Sequence, residues 1–193
     1  MTSKMLEARI ESIVALGGNL PRRRETAAVT LRQAIGELGQ QGATIRSVSR
    51  FYSSPSVPAG AGPDYVNAAI TVSSKLDAAG LLDLLHEVER RFDRERERRW
   101  GARTLDLDLI DHDGRVRPDA DSQRSWMNLA PALWHKQAPG ELILPHPRLQ
   151  DRPFVLLPLL DIRPDWVHPV LNLSVRQMLN AHAQSEIDAV RPV

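Results

Sequence analysis

Cysteine is absent from this 193-residue chain. That excludes disulfides, thiolate metal sites and a cysteine nucleophile. Lysine is nearly absent: of 25 basic residues only Lys4, Lys75 and Lys136 are lysines, and the other 22 are arginines. As a total, that ratio reads as codon bias; where the arginines cluster is a separate matter. An excess of either charge is lacking too, since 24 acidic residues leave a net charge of +1, so nothing pulls the whole chain toward nucleic acid or an anionic membrane. Long apolar runs are missing. The longest, Phe154–Leu160, is interrupted by Pro158 and is far short of the ~20 residues a membrane span needs. Glu7, Arg9 and Glu11 stand where a secretory signal would carry its apolar core. These absences predict a cytoplasmic protein with no membrane partner. The glycine motifs of the P-loop and the Rossmann crossover are also missing: Gly60-Ala61-Gly62 is followed by Tyr65 where a third glycine would fall.

What is present suits a globular fold. The chain is 42% hydrophobic, enough to fill a core, and at roughly 150 residues per domain it reads as a single domain, 1–193. Ile10–Leu16 is a short apolar run ending at Gly17-Gly18-Asn19, a strand entering a tight loop. A helix is expected over Arg24–Gln40, a strand over Thr44–Tyr52, a loop over the proline-rich Ser53–Asp64 and a strand over Tyr65–Ser73. Asp77 to about Arg94 carries a helical stripe of leucines. Thr104–Ile110 alternates strictly and is the clearest strand. The order β-α-β-β-α-β predicts an α+β sandwich, with an antiparallel sheet and two helices on one face. A C-terminal elaboration follows, with short helices expected near Leu149–Ile162 and Ser174–Ala183.

The strongest chemical signal lies on that clearest strand. Residues two apart share a strand face, so Asp106 and Asp108 point one way while Leu105, Leu107 and Leu109 point into the core. Adjacent carboxylates repel unless a cation sits between them. An all-oxygen pair suits Mg²⁺ held together with substrate phosphates; the plain alternative is a solvated strand face. Seven arginines between Arg90 and Arg103 adjoin the pair, and guanidinium forks suit phosphate oxygens. Arg90, Arg91 and Arg98 are expected to be solvated. The segment after Phe92 loses its apolar period and is expected to be a loop able to close over a ligand. Tyr65 and Asn67 share a face, and a ring beside a carboxamide can stack on and hydrogen-bond a flat heterocycle, though a strand tyrosine is more often packing. His146, Arg148, Arg152 and Phe154 form a third cluster.

Together these segments resemble the 6-hydroxymethyl-7,8-dihydropterin pyrophosphokinase family. Arg99–Ile110 (RWGARTLDLDLI) closely resembles its R-W-G-P-R-T-L-D-L-D signature, and Ala15–Leu20 (ALGGNL) resembles A-L-G-S-N-L. Phe51-Tyr52 with Pro63–Ala69 (PDYVNAA), Pro145–Arg148 (PHPR) and Arg152–Leu159 (RPFVLLPL) match further elements, in order, from residue 15 to about 160. The resemblance implies a ferredoxin-like fold and transfer of pyrophosphate from ATP to the pterin's hydroxymethyl group, releasing AMP. It implies two Mg²⁺ ions on Asp106 and Asp108, and catalytic Arg94, Arg96 and Arg103 along the triphosphate. Glu89, Arg103, His146 and Arg152 would sit by ATP. Tyr65 and Phe154 would sandwich the pterin, Asn67 would read its polar edge, and Ser54, Pro55 and Val57 would edge the pocket. Trp100 would belong to the loop that seals the site. The expected partners are these small molecules alone, without nucleic acid, and the enzyme is expected to be a monomer of one domain.

The chain departs from the family pattern at Gly18 (usually Ser), Ala102 (usually Pro) and Asp93 (commonly Gly). Residues 118–142 are longer than in compact members and hold Trp126 and Trp134. Two rivals are an RNA-binding module with the same element order and a catalytically silent relative. Asp106 and Asp108 stand where the former needs base-stacking aromatics, and every matched ligand position of the latter is occupied.

Overall fold

The structure is a computed structural model that describes residues 9–56, 60, 62–92, 103–133 and 136–193. Strand β1 (Ile10–Gly18) lies between β4 (Tyr65–Ser74) and the edge strand β5 (Asp106–His112). On its far side β4 pairs with β2 (Thr44–Val48) at one end and β3 (Tyr52–Ser54) at the other, and β3 pairs with the short β6 (Arg191–Pro192). All pairings are antiparallel. Helices α1 (Ala27–Gln40) and α2 (Ala78–Arg91) make the β-α-β-β-α-β unit, so the expected α+β, ferredoxin-like arrangement is what the chain adopts.

Alternation along β1 splits the core in two. Val14 and Leu16 pack with Leu31, Leu38, Leu81 and Leu85 from α1 and α2. Ile13 and Ala15 pack instead with Leu156 and Leu159 of α4 (Pro153–Ile162) and with Val175 and Met178 of α5 (Val175–Leu179). Helices on one face therefore describe the β-α-β-β-α-β unit alone; the C-terminal elaboration supplies a second helical layer on the opposite face. The N-terminus of α2 is capped by Asp77, whose carboxylate accepts from Gly80 N at 2.8 Å. At its other end Arg90 and Arg91 are exposed and both pair with Glu87, as expected of solvated residues.

Several boundaries differ from expectation, and three of the differences have a clear local reason. The strand expected over Thr44–Tyr52 breaks after Val48, because the Ser49 hydroxyl accepts from Ala69 N at 2.9 Å and displaces a backbone partner from the ladder. Pairing resumes in β3, which takes Ser53 and Ser54 from the expected loop. Helix α1 begins at Ala27 rather than Arg24, because Arg23 (φ 48°) and Arg24 (φ 71°) turn through left-handed backbone. Helix α3 (Ala120–Met127) was not expected; it is capped by Asp119, which accepts from Asp121 N and Ser122 N. A last short helix, α6 (Gln184–Asp188), precedes β6. Among the described residues no helix is long and apolar enough to cross a membrane.

Gly18 closes β1 against the start of β5, where an added Cβ would lie 2.5 Å from the Thr104 carbonyl oxygen. Backbone must move to admit a side chain there. Gly18→Ala is expected to cost about 1–3 kcal/mol of stability, the usual range for overpacking, read from urea unfolding; an unchanged midpoint would contradict this close approach.

Candidate active site

Strand register assembles the site. Asp106 stands opposite Gly17 and Asp108 opposite Ala15, while Gly17 also stands opposite Asn67, and Asn67 opposite Tyr52. Facing residues of an antiparallel ladder project to one side. Asp106, Asp108, Asn67 and Tyr65 therefore share the face that α4 covers, over a floor kept low by Gly17 and Ala15. They line a cleft of about 960 Å³.

Each carboxylate is paired with an arginine. Arg103 Nη1 reaches Asp106 Oδ2 at 2.5 Å, and Arg152 Nη1 reaches Asp108 Oδ2 at 3.2 Å. Arg152 arrives from just before α4, its guanidinium 5.9 Å from the centre of the Phe154 ring. Arg103 is held through its backbone: its N–H donates to Asn19 Oδ1 (2.8 Å), and its carbonyl accepts from Asn19 N (2.9 Å) and Leu20 N (3.0 Å). Asn19 Nδ2 donates to Pro63 O at 3.1 Å, so one buried side chain ties the end of β1 to both flanks of the cleft. Thr104 donates its hydroxyl to Phe92 O at 2.9 Å.

At one end of the cleft, Tyr65 and Phe154 supply rings and Asn67 a carboxamide. Asn67 Nδ2 donates to Ser54 Oγ at 2.9 Å, which leaves Oδ1 directed over Gly17. Burial raises the Tyr65 pKa, so its phenol stays protonated at neutral pH. His146 is fixed by its backbone N–H, which donates to Ile110 O at 2.9 Å, and by Arg148 N donating to its ring Nδ1 at 3.2 Å; a neutral ring then carries its proton on Nε2. Burial, with Arg152 and Arg148 nearby, pushes the His146 pKa down to about 3. Burial and Arg152 also lower the Arg148 pKa to about 10. Such crowding of guanidiniums favours a bound polyanion.

The sequence model of the 7,8-dihydro-6-hydroxymethylpterin-pyrophosphokinase family matches residues 13–164. The chain belongs to this family. A pyrophosphokinase of Synechocystis sp., 2-amino-4-hydroxy-6-hydroxymethyldihydropteridine pyrophosphokinase, is 34% identical over 94% of this chain and 80% of its own length. The enzyme of the same name from Haemophilus influenzae is 32% identical over 83% of this chain and 86% of its own. Among solved structures, an HPPK-DHPS in complex with substrates superposes with a TM-score of 0.65 at 13% identity, over 92% of this chain and 44% of that one. Plasmodium falciparum wild-type HPPK-DHPS with STZ-DHP gives 0.63 at 14% identity, over 95% and 44%. The chain thus spans less than half of those solved chains, and at such identity the likeness is one of fold.

Of the pyrophosphokinase residues expected from sequence, the cleft brings together Ser54, Pro55, Tyr65, Asn67, Arg103, Asp106, Asp108, His146, Arg152 and Phe154. Glu89 stands apart: it is 1% exposed on α2, and its Oε1 accepts from Leu107 N at 2.7 Å. It thereby holds the strand between the two aspartates. Val57, Arg94, Arg96 and Trp100 lie outside the described residues, as do Asp93, Ala102 and Trp134. Sequence reading gave no role to Asn19, although it sits inside the quoted ALGGNL block. Leu82, His86, Trp126, Leu129 and Gln137–Ile143 also line the cleft; the long 118–142 segment with Trp126 stood out in sequence, but without a role.

The depressed His146 pKa has a consequence for stability. His146 stays neutral in the folded chain until about pH 3, whereas an exposed histidine takes up its proton near 6.5. The unfolded chain binds the extra proton in that window, so stability present above pH 6.5 is lost as pH falls toward 3. His146→Gln should flatten urea midpoints measured between about pH 7 and about pH 4; slopes equal to wild type would contradict the assignment.

Proposed function

We propose that this cleft is where the chain carries out the family's reaction, transfer of the pyrophosphoryl group of ATP to the hydroxymethyl group of 6-hydroxymethyl-7,8-dihydropterin in folate biosynthesis. One observation carries the assignment of roles. Two same-face carboxylates lie between arginines from chain-distant segments, beside an aromatic–carboxamide end shaped for a flat heterocycle. The pterin lies between Tyr65 and Phe154. Asn67, oriented by Ser54, accepts a ring N–H through Oδ1, and Ser54 and Pro55 edge the pocket, with Val57 assigned there on sequence alone.

The pterin hydroxyl oxygen attacks the β-phosphorus of ATP. The bond from that phosphorus to the oxygen bridging the α-phosphate breaks, AMP departs with the electron pair, and the hydroxyl proton passes to solvent. Charge moves onto phosphate oxygens during this step, and fixed donors stabilise it. Arg103 and Arg152 supply forks at the centre, and Arg148 adds positive charge beside them. His146 donates from Nε2 to a nucleotide oxygen. Arg94 and Arg96 are assigned the developing phosphate charge on sequence alone, and Trp100 the sealing of the site.

Magnesium fits the donor set. Asp106 and Asp108 both face the cleft, offer only oxygen, and repel one another unless a cation intervenes. Among the described residues no group of three or more His, Cys, Asp and Glu could hold a metal by itself, as suits an ion that completes its shell with phosphate and water oxygens. Bound with ATP on these two aspartates, two Mg²⁺ ions would neutralise triphosphate charge. Glu89 acts through the strand, keeping Leu107 and hence both carboxylates in place. We read the enzyme as a cytoplasmic monomer of one domain, acting on these small molecules alone.

The test is AMP release from ATP and Mg²⁺, with and without the pterin. AMP should form only with pterin present, and Asp106→Ala should lower kcat by about 10²-fold or more, as for loss of a transition-state charge partner. Asn67→Ala should raise the KM for pterin while leaving that for ATP nearly unchanged. Pterin-independent AMP, or an Asp106 variant with wild-type turnover, would sink the assignment.

A further inference from the structure

The cleft is larger than a pterin site and a charged centre require. It continues past Asp106 and Asp108, around the outer edge of β5, where Leu107 and Leu109 from the other strand face join its lining. Leu82 and His86, one turn apart on α2, form one wall there, and Trp126 with Leu142 and Ile143 form the other. The cleft thus runs from its aromatic–carboxamide end, across the ionic groups, to a second and largely aliphatic end.

The second wall comes from described residues of the segment 118–142, which is tied down at its stem and through α3. Arg117 and Leu144 close its stem, with N–H to carbonyl distances of 2.8 and 3.1 Å in the two directions. Within α3, Gln123 is 0% exposed and its Nε2 donates to Pro145 O at 3.3 Å. That contact turns one face of α3 toward the His146 turn. Trp126 stands three residues on, on the same face, and is only partly buried. A partly buried indole on the cleft lining offers a flat surface to a second heterocycle.

We propose that Trp126 stacks on the base of the nucleotide, and that α3 forms an outer wall which makes this chain selective for a purine triphosphate. The inference rests on the ATP reading above: with the pterin at the Tyr65–Phe154 end and the triphosphate at the arginines, the base falls at the Trp126 end. Trp126 then acts on nucleotide affinity and base choice and touches neither the pterin nor the reacting phosphorus.

The test is calorimetric titration of the full chain, in Mg²⁺, with the α,β-methylene analogue of ATP and separately with inorganic tripolyphosphate. Trp126→Leu keeps an apolar side chain to pack α3 but removes the ring; it should weaken the analogue about tenfold, within the range for loss of base–aromatic stacking. Trp126→Phe should stay within about threefold of wild type. Tripolyphosphate binding and the KM for pterin should not change in either variant, and the preference for the ATP analogue over its cytidine counterpart should shrink in Trp126→Leu. Wild-type affinity for the analogue in Trp126→Leu would overturn the proposal. So would an equal loss of tripolyphosphate, which would make Trp126 merely structural. A wild-type protein that binds tripolyphosphate but shows no added affinity for the analogue overturns base stacking alone; one that binds neither overturns the ATP reading as well.

Discussion

Two carboxylates set side by side on one face of an edge strand repel each other, and the site is organised around offsetting that repulsion. Asp106 meets Arg103, three residues earlier, and Asp108 meets Arg152, which lies 44 residues on. The first pairing is local. The second requires α4 to dock on the sheet, because Arg152 immediately precedes it. Leu156 and Leu159 supply that docking. At the other end of α4, Asp161 accepts from Arg50 N, Nε and Nη2 and from the Tyr52 hydroxyl, at 2.7–3.1 Å. The second helical layer is thus a condition of the charged centre.

Backbone contacts fix the same centre from below. Gly18 admits the Thr104 carbonyl where a side chain would collide with it, Asn19 ties Arg103 and Pro63 to the end of β1, and Glu89 holds Leu107 between the aspartates. A buried carboxylate accepting a backbone N–H is a strong, directional tie. These three residues contact the strand and loops that carry functional groups, and they lie at the junction of β1, α2 and β5. The site's geometry depends on that junction being closely packed.

Legibility followed periodicity. Strict alternation over Thr104–Ile110 announced β5 and the facing of its aspartates, and leucine stripes announced α2. Where side chains compete with backbone the pattern misled: the Ser49 hydroxyl breaks one expected strand into β2 and β3. Helix α3 was missed because its one fully buried residue is Gln123, so no apolar stripe exists to be seen. Tyr65, Asn67, His146, Arg152 and Phe154 were legible through family motifs, and the structure gathers them on one cleft. Glu89 carries the same motif-level claim but is held against the outer edge of β5 by the Leu107 N–H, since helix position alone does not say where a side chain will find its partner.

Which residue types are available was settled by the sequence: no thiol, no glycine-rich phosphate loop, an acidic pair on a strand, and arginine in place of lysine. A period of two placed Asp106 and Asp108 on one face without any knowledge of neighbours. What faces them was settled only by tertiary structure. Strand register set Gly17 and Asn67 alongside, docking of α4 brought in Arg152, and return of the chain from Arg117 to Leu144 placed Trp126, Leu129 and Gln137–Ile143 on the cleft. Alternation is a property of a single strand, whereas these meetings depend on burial of apolar surface between segments distant in the chain, and no local pattern records that.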